Sequence, residues 1–336
     1  MTSSEPPTVV YLGGFGRSGS TLVERVLGAA PGWANVGELV DLARSVAPAD
    51  ERCGCGLPFS RCPVWRQVGD LAFGGWDDVV LGRLVALQRA AARQRHLPAM
   101  LSRRTTPAAL RDLRSAYRAI YGAVAEVTGA RVVVDASKGP ALGLALASGD
   151  DLDVRLLDVV RDPRAVAWSW SHRVDRPHAG SGSEQMWRIP AHRSAAQWSA
   201  LQLEMEAIAR FGRVRSARVR SARMRYEDFV ADPVQTLGAA TAALGVPLTA
   251  ADLPVVGGTT VRLDPSHGLS GNPSRFRSGS VVLRRDDQWV EQMPVRERAV
   301  VTALTLPLLR AYGYPAHAGD RAPARPTLHG PHEARN

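Results

Sequence analysis

Lysine is almost missing from this 336-residue chain: Lys138 stands alone, and every other member of the 42 lysine and arginine residues is arginine. Acidic residues number 32, which leaves a formal net charge of +10. A basic surplus of that size raises a nucleic-acid partner, above all at Arg213–Arg225, where Arg-Ser-Ala-Arg nearly repeats. Stretches that bind nucleic acid interleave aromatic side chains for stacking, and this one has none. No nucleic-acid motif accompanies it, so it is expected to be a strand with basic edges and nucleic acid is excluded as a partner. Long apolar runs are lacking as well: nothing approaches the roughly 18 residues of a membrane-spanning helix, and no signal-peptide pattern is present. No membrane span and a cytoplasmic location are therefore expected. Cysteine is scarce, with only Cys53, Cys55 and Cys62, all within ten residues. Tetrahedral zinc needs a fourth ligand and none is adjacent, so no metal site is assigned. Buried packing thiols, one disulfide with a spare thiol, and a metal site remain open for them.

A further lysine is missing where its absence decides chemistry. Val9 to Leu12 is an apolar run that reads as a buried parallel strand, and Leu22, Val23, Val26 and Leu27 recur afterwards at helical spacing. Between them, Gly14-Phe15-Gly16-Arg17-Ser18-Gly19-Ser20-Thr21 turns strand into helix with the glycine spacing of a phosphate-binding loop. Backbone N–H groups of such a loop face an anion at the positive end of the helix dipole. In nucleotide hydrolases the residue after the second glycine is a lysine that reaches the β- and γ-phosphates; here Ser20 stands there. A triphosphate with magnesium is poorly served. Arg17, Ser18, Ser20 and Thr21 offer one guanidinium and three hydroxyls, a donor set suited to a smaller phosphate ester or phosphosulfate.

Together with Gly37-Glu38 downstream, this segment resembles the 5′-phosphosulfate loop of sulfotransferases that use 3′-phosphoadenosine 5′-phosphosulfate (PAPS). Asp153–Ser169 resembles the second signature of that family, a strand ending in Arg161-Asp162-Pro163 followed by a helix bearing Ser169. The resemblance implies that Arg161 and Ser169 bind the 3′-phosphate. Asp162 can cap the helix and Pro163 suits its first position. Gly271-Asn-Pro-Ser-Arg-Phe-Arg-Ser-Gly279 resembles the loop that closes over the same phosphate, which implies donor contacts from Arg275, Phe276, Arg277 and Gly279.

A transferase of this kind needs a base to take the acceptor proton. Gly37-Glu38 resembles the pair that carries it in tyrosylprotein-type and related sulfotransferases; as a plain alternative, Glu38 opens a helix over residues 38–46. His267, four residues before Gly271-Asn272, resembles the histidine spacing of carbohydrate sulfotransferases and is the second candidate base. Arg131–Asp135 reads as another strand, and Lys138 lies in the loop at its carboxyl end, where ligands gather in open α/β sheets. Lys138 and Arg17 are the expected cations at the departing phosphate.

These features predict an α/β fold, a P-loop-type three-layer sandwich with a central, mostly parallel sheet. One domain is expected over residues 1–315, with a tail without periodicity at 316–336. Residues 51–128 read as an insertion carrying the cysteines and two amphipathic helices, one with Val80, Leu84, Leu87 and Ala91 on a face and one with Leu110, Leu113, Tyr117, Ile120 and Val124. That insertion is expected to cap the acceptor side. Later helices are expected over 193–211, 233–244 and 294–312, with Pro307 bending or ending the last. The reading is a sulfotransferase that uses PAPS, releases adenosine 3′,5′-bisphosphate (PAP) and needs no metal. Its acceptor is a small molecule, saccharide, lipid or peptide. A P-loop kinase and a nucleotide-binding scaffold without catalysis are the alternatives; Glu38 speaks against the second, the missing lysine against the first.

Overall fold

The computed structural model describes residues 6–102, 108–172, 175–176, 184–185, 187–214 and 217–316. From residue 317 on, the expected tail lies outside them. The chain opens with β1 (Thr8–Gly13), α1 (Ser20–Gly28) and β2 (Trp33–Gly37). Four helices, α2 (Pro63–Phe73), α3 (Asp78–Ala91), α4 (Leu97–Leu101) and α5 (Ala108–Thr128), lead to β3 (Val132–Lys138). Then come α6 (Pro140–Ala147), β4 (Asp153–Val160) and α7 (Pro163–Ser171). Two-residue strands β5 (Asp175–Arg176) and β6 (Glu184–Gln185) precede α8 (Ala191–Phe211), and β7 (Arg213–Val214) and β8 (Ala217–Arg218) precede β9 (Ser221–Arg225). The remainder is α9 (Tyr226–Ala231), α10 (Pro233–Leu244), the antiparallel strands β10 (Val255–Gly257), β11 (Thr260–Leu263) and β12 (Gly279–Val282), then α11 (Gln288–Gln292) and α12 (Val295–Ala311).

The central sheet has five strands in the order β2-β3-β1-β4-β9, every pair parallel. Strand β1 lies in the middle and is buried on both faces, which is why it reads as an unbroken apolar run. Side chains alternate along it. Val9 and Tyr11 join the core with α3, α5 and α6, while Val10 and Leu12 join the one with α1 and α10. Helix, sheet and helix thus make the three layers expected, and burying each large apolar side chain contributes about 1.5–3 kcal/mol. On α5, Leu110, Leu113, Tyr117, Ile120 and Val124 are all buried, as their spacing predicts.

Several elements differ from the sequence reading. Residues 33–37 read as a connection but form β2, because the buried polar Asn35 and the closing Gly37 interrupt the apolar pattern. Helix α2 was not expected; it buries only Trp65, Val68 and Gly69, too few to show a period. The basic stretch supplies β9 only over Ser221–Arg225. Pro307 neither ends α12 nor stops it short, since the helix runs on to Ala311.

The entry to α7 shows how the sequence fixes the sheet's carboxyl edge. Asp162 accepts the backbone N–H of Arg164 at 2.9 Å, with Pro163 at the first helical position. Its carboxylate also holds the Arg164 guanidinium through bonds of 2.9 and 2.7 Å, and both side chains are almost fully buried. Removing one partner strands a buried charge. Asp162→Ala is therefore expected to lower the unfolding free energy by about 3–5 kcal/mol. Chemical denaturation checks this, and a loss well under 1 kcal/mol would show the cap and the pair to be dispensable.

Candidate active site

The loop from β1 to α1 folds as its glycines require. Gly19 has φ +86°, and a Cβ there would lie 2.3 Å from the Tyr226 ring; at Gly14 it would meet the Val159 carbonyl at 2.5 Å. Arg17, a non-glycine at φ 73°, takes the same left-handed conformation. The first bonds back into α1 come from Leu22 and Val23 to the Gly19 carbonyl. Hence the N–H groups of Ser20 and Thr21 have no acceptor within the helix. No side chain caps α1 and no acidic residue lies in its first turn, so the positive helix end is left uncompensated. The Ser18 hydroxyl is buried without a hydrogen-bond partner among the described residues. Trp170, from α7, donates its indole N–H to the Gly16 carbonyl at 3.0 Å and lies under the Arg17 guanidinium, 5.0 Å from ring centre to Cζ.

A second cation joins this mouth. Arg161 follows β4, donates to the Arg17 carbonyl at 3.0 Å and to Asp286 at 3.0 Å, and stacks 5.1 Å from the Tyr226 ring centre. Desolvation, then the nearby Arg161 charge, pulls the Arg17 pKa down, while Glu38 opposes the shift. Two guanidiniums brought together beside an uncapped helix form a place where an anion lowers the energy of all three. Ser169 is half-buried on α7, two turns beyond Arg161.

On the other side, β2 and β3 bring the candidate base and the lone lysine together. Glu38 follows β2 and Lys138 ends β3, and the Glu38 Oε1 and Lys138 Nζ form a salt bridge. Glu38 thus follows β2 directly and also opens helical structure as the alternative reading expects, standing at the N-cap of a 3-10 turn over Leu39–Asp41 that continues into a π-helical turn over Leu42–Val46, with no capping bond from its side chain. Lys138 has φ 66°, a turn out of the strand. Below them Asp135 accepts Ser137 N at 2.8 Å, Ser137 Oγ at 2.5 Å and Tyr121 OH at 2.6 Å. Ser137 Oγ in turn accepts the N–H of Val40 at 2.9 Å, which fixes the turn that follows Glu38. Two further acids surround the pair: Glu24 on α1, whose pKa burial pushes well above the carboxylate range against the pull of Lys138, and Asp41, raised likewise by burial and then by Glu38. The sequence reading missed Glu24, Asp41, Asp135 and Trp170. An acid at Asp135 within an otherwise apolar strand was the one visible signal.

The late loop arrives at the same place in part. Glu38 N donates to the Leu269 carbonyl at 2.8 Å, Leu269 N to Val36 at 2.9 Å, and Ser270 Oγ to Asp41 at 2.8 Å. A Cβ at Gly271 would touch Glu38 Oε1 at 2.7 Å. Phe276 is half-buried, and Arg277 and Gly279 are exposed at the start of β12. Arg275 departs from its expected role: it is 4% exposed and its guanidinium donates to the carbonyls of Gly271 and Arg52, so it struts the loop. His267 departs too. Its Nδ1 lies 3.3 Å from Cys62 Sγ and 3.7 Å from Cys53 Sγ, so the structure groups it with the thiols. Two surface hollows, of about 460 and 430 Å3, lie beside Trp168 and His172 and beside Leu71 and Arg118. No residue of the Gly14–Thr21 loop lines either, so converging donors mark the site, not the size of a hollow.

Neither a protein-family model nor a curated protein sequence matches the chain. Among solved structures it is similar to the sulfotransferase domain from the Synechococcus PCC 7002 olefin synthase, at 19% identity and a TM-score of 0.48, over 94% of this chain and 99% of that one.

Asp135 gives the site a pH signature. Burial raises its carboxyl to about 6, despite the hydrogen bonds of Ser137 and Tyr121 that favour the ionised form. The folded value lies above the unfolded one of about 3.9, so the group's stabilisation is complete below about pH 4 and is lost as pH rises through the folded value. Relative to Asp135→Asn, the wild-type unfolding free energy is expected to fall by about 2–3 kcal/mol between pH 4 and pH 7. Parallel pH profiles for the two proteins would contradict it.

Proposed function

We propose that this chain is a sulfotransferase that moves the sulfuryl group of PAPS to an acceptor hydroxyl or amine by in-line displacement, without a catalytic metal. The observation that carries the proposal is the placement of Glu38 and Lys138 as an ion pair at the same sheet edge as a lysine-free phosphate loop. The donor fits the residues present. The orphaned Ser18 hydroxyl and the N–H groups of Ser20 and Thr21, which have no acceptor within α1, are anion donors, and the Arg17 and Arg161 guanidiniums lie beside them. Gly14, Phe15, Gly16, Arg17, Ser18, Gly19, Ser20 and Thr21 would hold the 5′-phosphosulfate, and Arg161 with Ser169 the 3′-phosphate. Arg277 and the exposed Gly279 at the start of β12 would close over it.

When bound, the donor supplies an activated sulfuryl group with a phosphate as leaving group. Glu38 takes the proton at its carboxylate. Lys138 and Arg17 meet the negative charge that grows on the leaving side. An anion arriving at Lys138 competes with Glu38 for the ammonium, which frees the carboxylate as the base. The Leu269 carbonyl and the Ser137–Val40 bond hold the backbone on either side of Glu38.

Arg161→Ala should weaken PAP by about 10- to 100-fold, the worth of charge-assisted hydrogen bonds of about 1.5–3 kcal/mol, and adenosine 5′-phosphate hardly at all. Equal losses for both ligands would move the 3′-phosphate elsewhere. Glu38→Gln should lower kcat by about 10²–10⁴ with PAP affinity unchanged, measured on an acceptor found by screening saccharides, lipids, phenols and peptides. Full activity in that variant would reject Glu38 as the base.

A further inference from the structure

The three cysteines, left open by the sequence, meet one histidine. Cys53, Cys55, Cys62 and His267 bring one ligand atom each to within 4.8 Å of all the others. Cys53 and Cys62 are fully buried, and Cys55 and His267 are partly so. The sulfur of Cys62 lies 3.6 Å from that of Cys53 and 3.9 Å from that of Cys55, and His267 Nδ1 lies 3.3 and 3.7 Å from Cys62 and Cys53. A tetrahedral zinc with Zn–S of about 2.3 Å and Zn–N of about 2.0 Å places its ligands about 3.8 Å apart for sulfur pairs and about 3.5 Å apart for sulfur and nitrogen. These four edges follow that tetrahedron, and the two that remain, from Cys55 to Cys53 and to His267, lie within 4.8 Å. They do not follow a disulfide, whose sulfurs would be about 2.05 Å apart and whose closure would leave one thiol over.

From these edges we infer a structural zinc site of three thiolates and one imidazole, formed by Cys53, Cys55, Cys62 and His267. Soft thiolates with an imidazole in a closed tetrahedron select zinc over the hard cations. The surrounding backbone is built for it. Gly54 N donates to the Gly268 carbonyl at 3.0 Å, and a Cβ on Gly54 would meet the Ser266 carbonyl at 2.6 Å, so the two loops approach as closely as a glycine permits. Cys53 N donates to Leu57 O at 2.8 Å and Cys62 N to Pro58 O at 3.0 Å, winding the thiols onto one side. Trp65 Nε1 donates to the His267 carbonyl at 2.8 Å and fixes the histidine's backbone.

The site joins two segments more than two hundred residues apart in the sequence, and the second of them runs directly into Leu269 and Ser270, which hold Glu38 and Asp41. The ion would therefore act as a positioning element for the loop beside Glu38 and take no part in transfer. The assignment of the ligands stands apart from the sulfotransferase reading and survives its failure.

The test is the metal content of the full chain, purified without chelator. About one zinc per chain, retained through dialysis, is expected. Replacing zinc by cobalt should give the thiolate-to-cobalt absorption and the intense ligand-field bands of a tetrahedral site. Cys62→Ser and His267→Ala should each lose the metal, and His267→Cys should restore it as a four-thiolate site. Should those variants fail to fold, the cobalt spectrum of the wild type decides. Wild-type protein carrying no stoichiometric metal, with three titratable thiols or with a disulfide found by mass spectrometry, would overturn the proposal.

Discussion

Parallel pairing of β1 with β3 on one side and β4 on the other is the constraint on which the rest depends. Parallel strands send all their carboxyl ends to one edge, and the turn leaving each strand must deliver its first residues there. Four strands use that edge: β1 delivers the anion loop, β2 delivers Glu38, β3 delivers Lys138 and β4 delivers Arg161. A one-residue register slip in any of them would carry its group away and turn its inward side chains to the opposite face. The price for gathering charges at one edge is desolvation, visible in the raised carboxyl pKa values of Glu24, Asp41 and Asp135 and in the lowered one of Arg17.

Those shifts give the site a division of labour. Glu24 and Asp135 are driven toward the neutral form by burial, and Asp135 is held in place by Tyr121 and Ser137. Glu38, by contrast, has Lys138 as its partner. One acid of the group thus faces the ammonium while burial raises the carboxyl pKa of its neighbours. The lone lysine of the chain faces Glu38, and the guanidiniums of Arg17 and Arg161 take the places where flat donors stack on Trp170 and Tyr226.

Much of this was legible in the residues. Runs at Val9–Leu12 and Val154–Val160 gave away two buried strands, the second through its valines and leucines despite Arg155 and Asp158. The glycine spacing from Gly14 to Gly19 marked the loop, and Arg161-Asp-Pro marked a strand end with a helix start. β2 was not legible, since Asn35 and Gly37 mask its alternation, so the strand that carries Glu38 to the sheet edge was read as a connection, whereas the helical turns that Glu38 opens were foreseen. What lay furthest from view was long range. That Arg275 would turn inward to carbonyls of Gly271 and Arg52, and that His267 would find three cysteines, depends on contacts between segments far apart in the chain, which no local period records.

The central claim is that the loop and Arg161 form a metal-free site for a nucleotide carrying both a 3′- and a 5′-phosphate. Calorimetric titration of the wild-type chain with PAP, and separately with ATP plus magnesium, addresses it most directly. The account predicts saturable one-to-one binding of PAP in buffer without added divalent metal, and far weaker binding of ATP with or without magnesium. Tight binding of ATP with magnesium and none of PAP would contradict it.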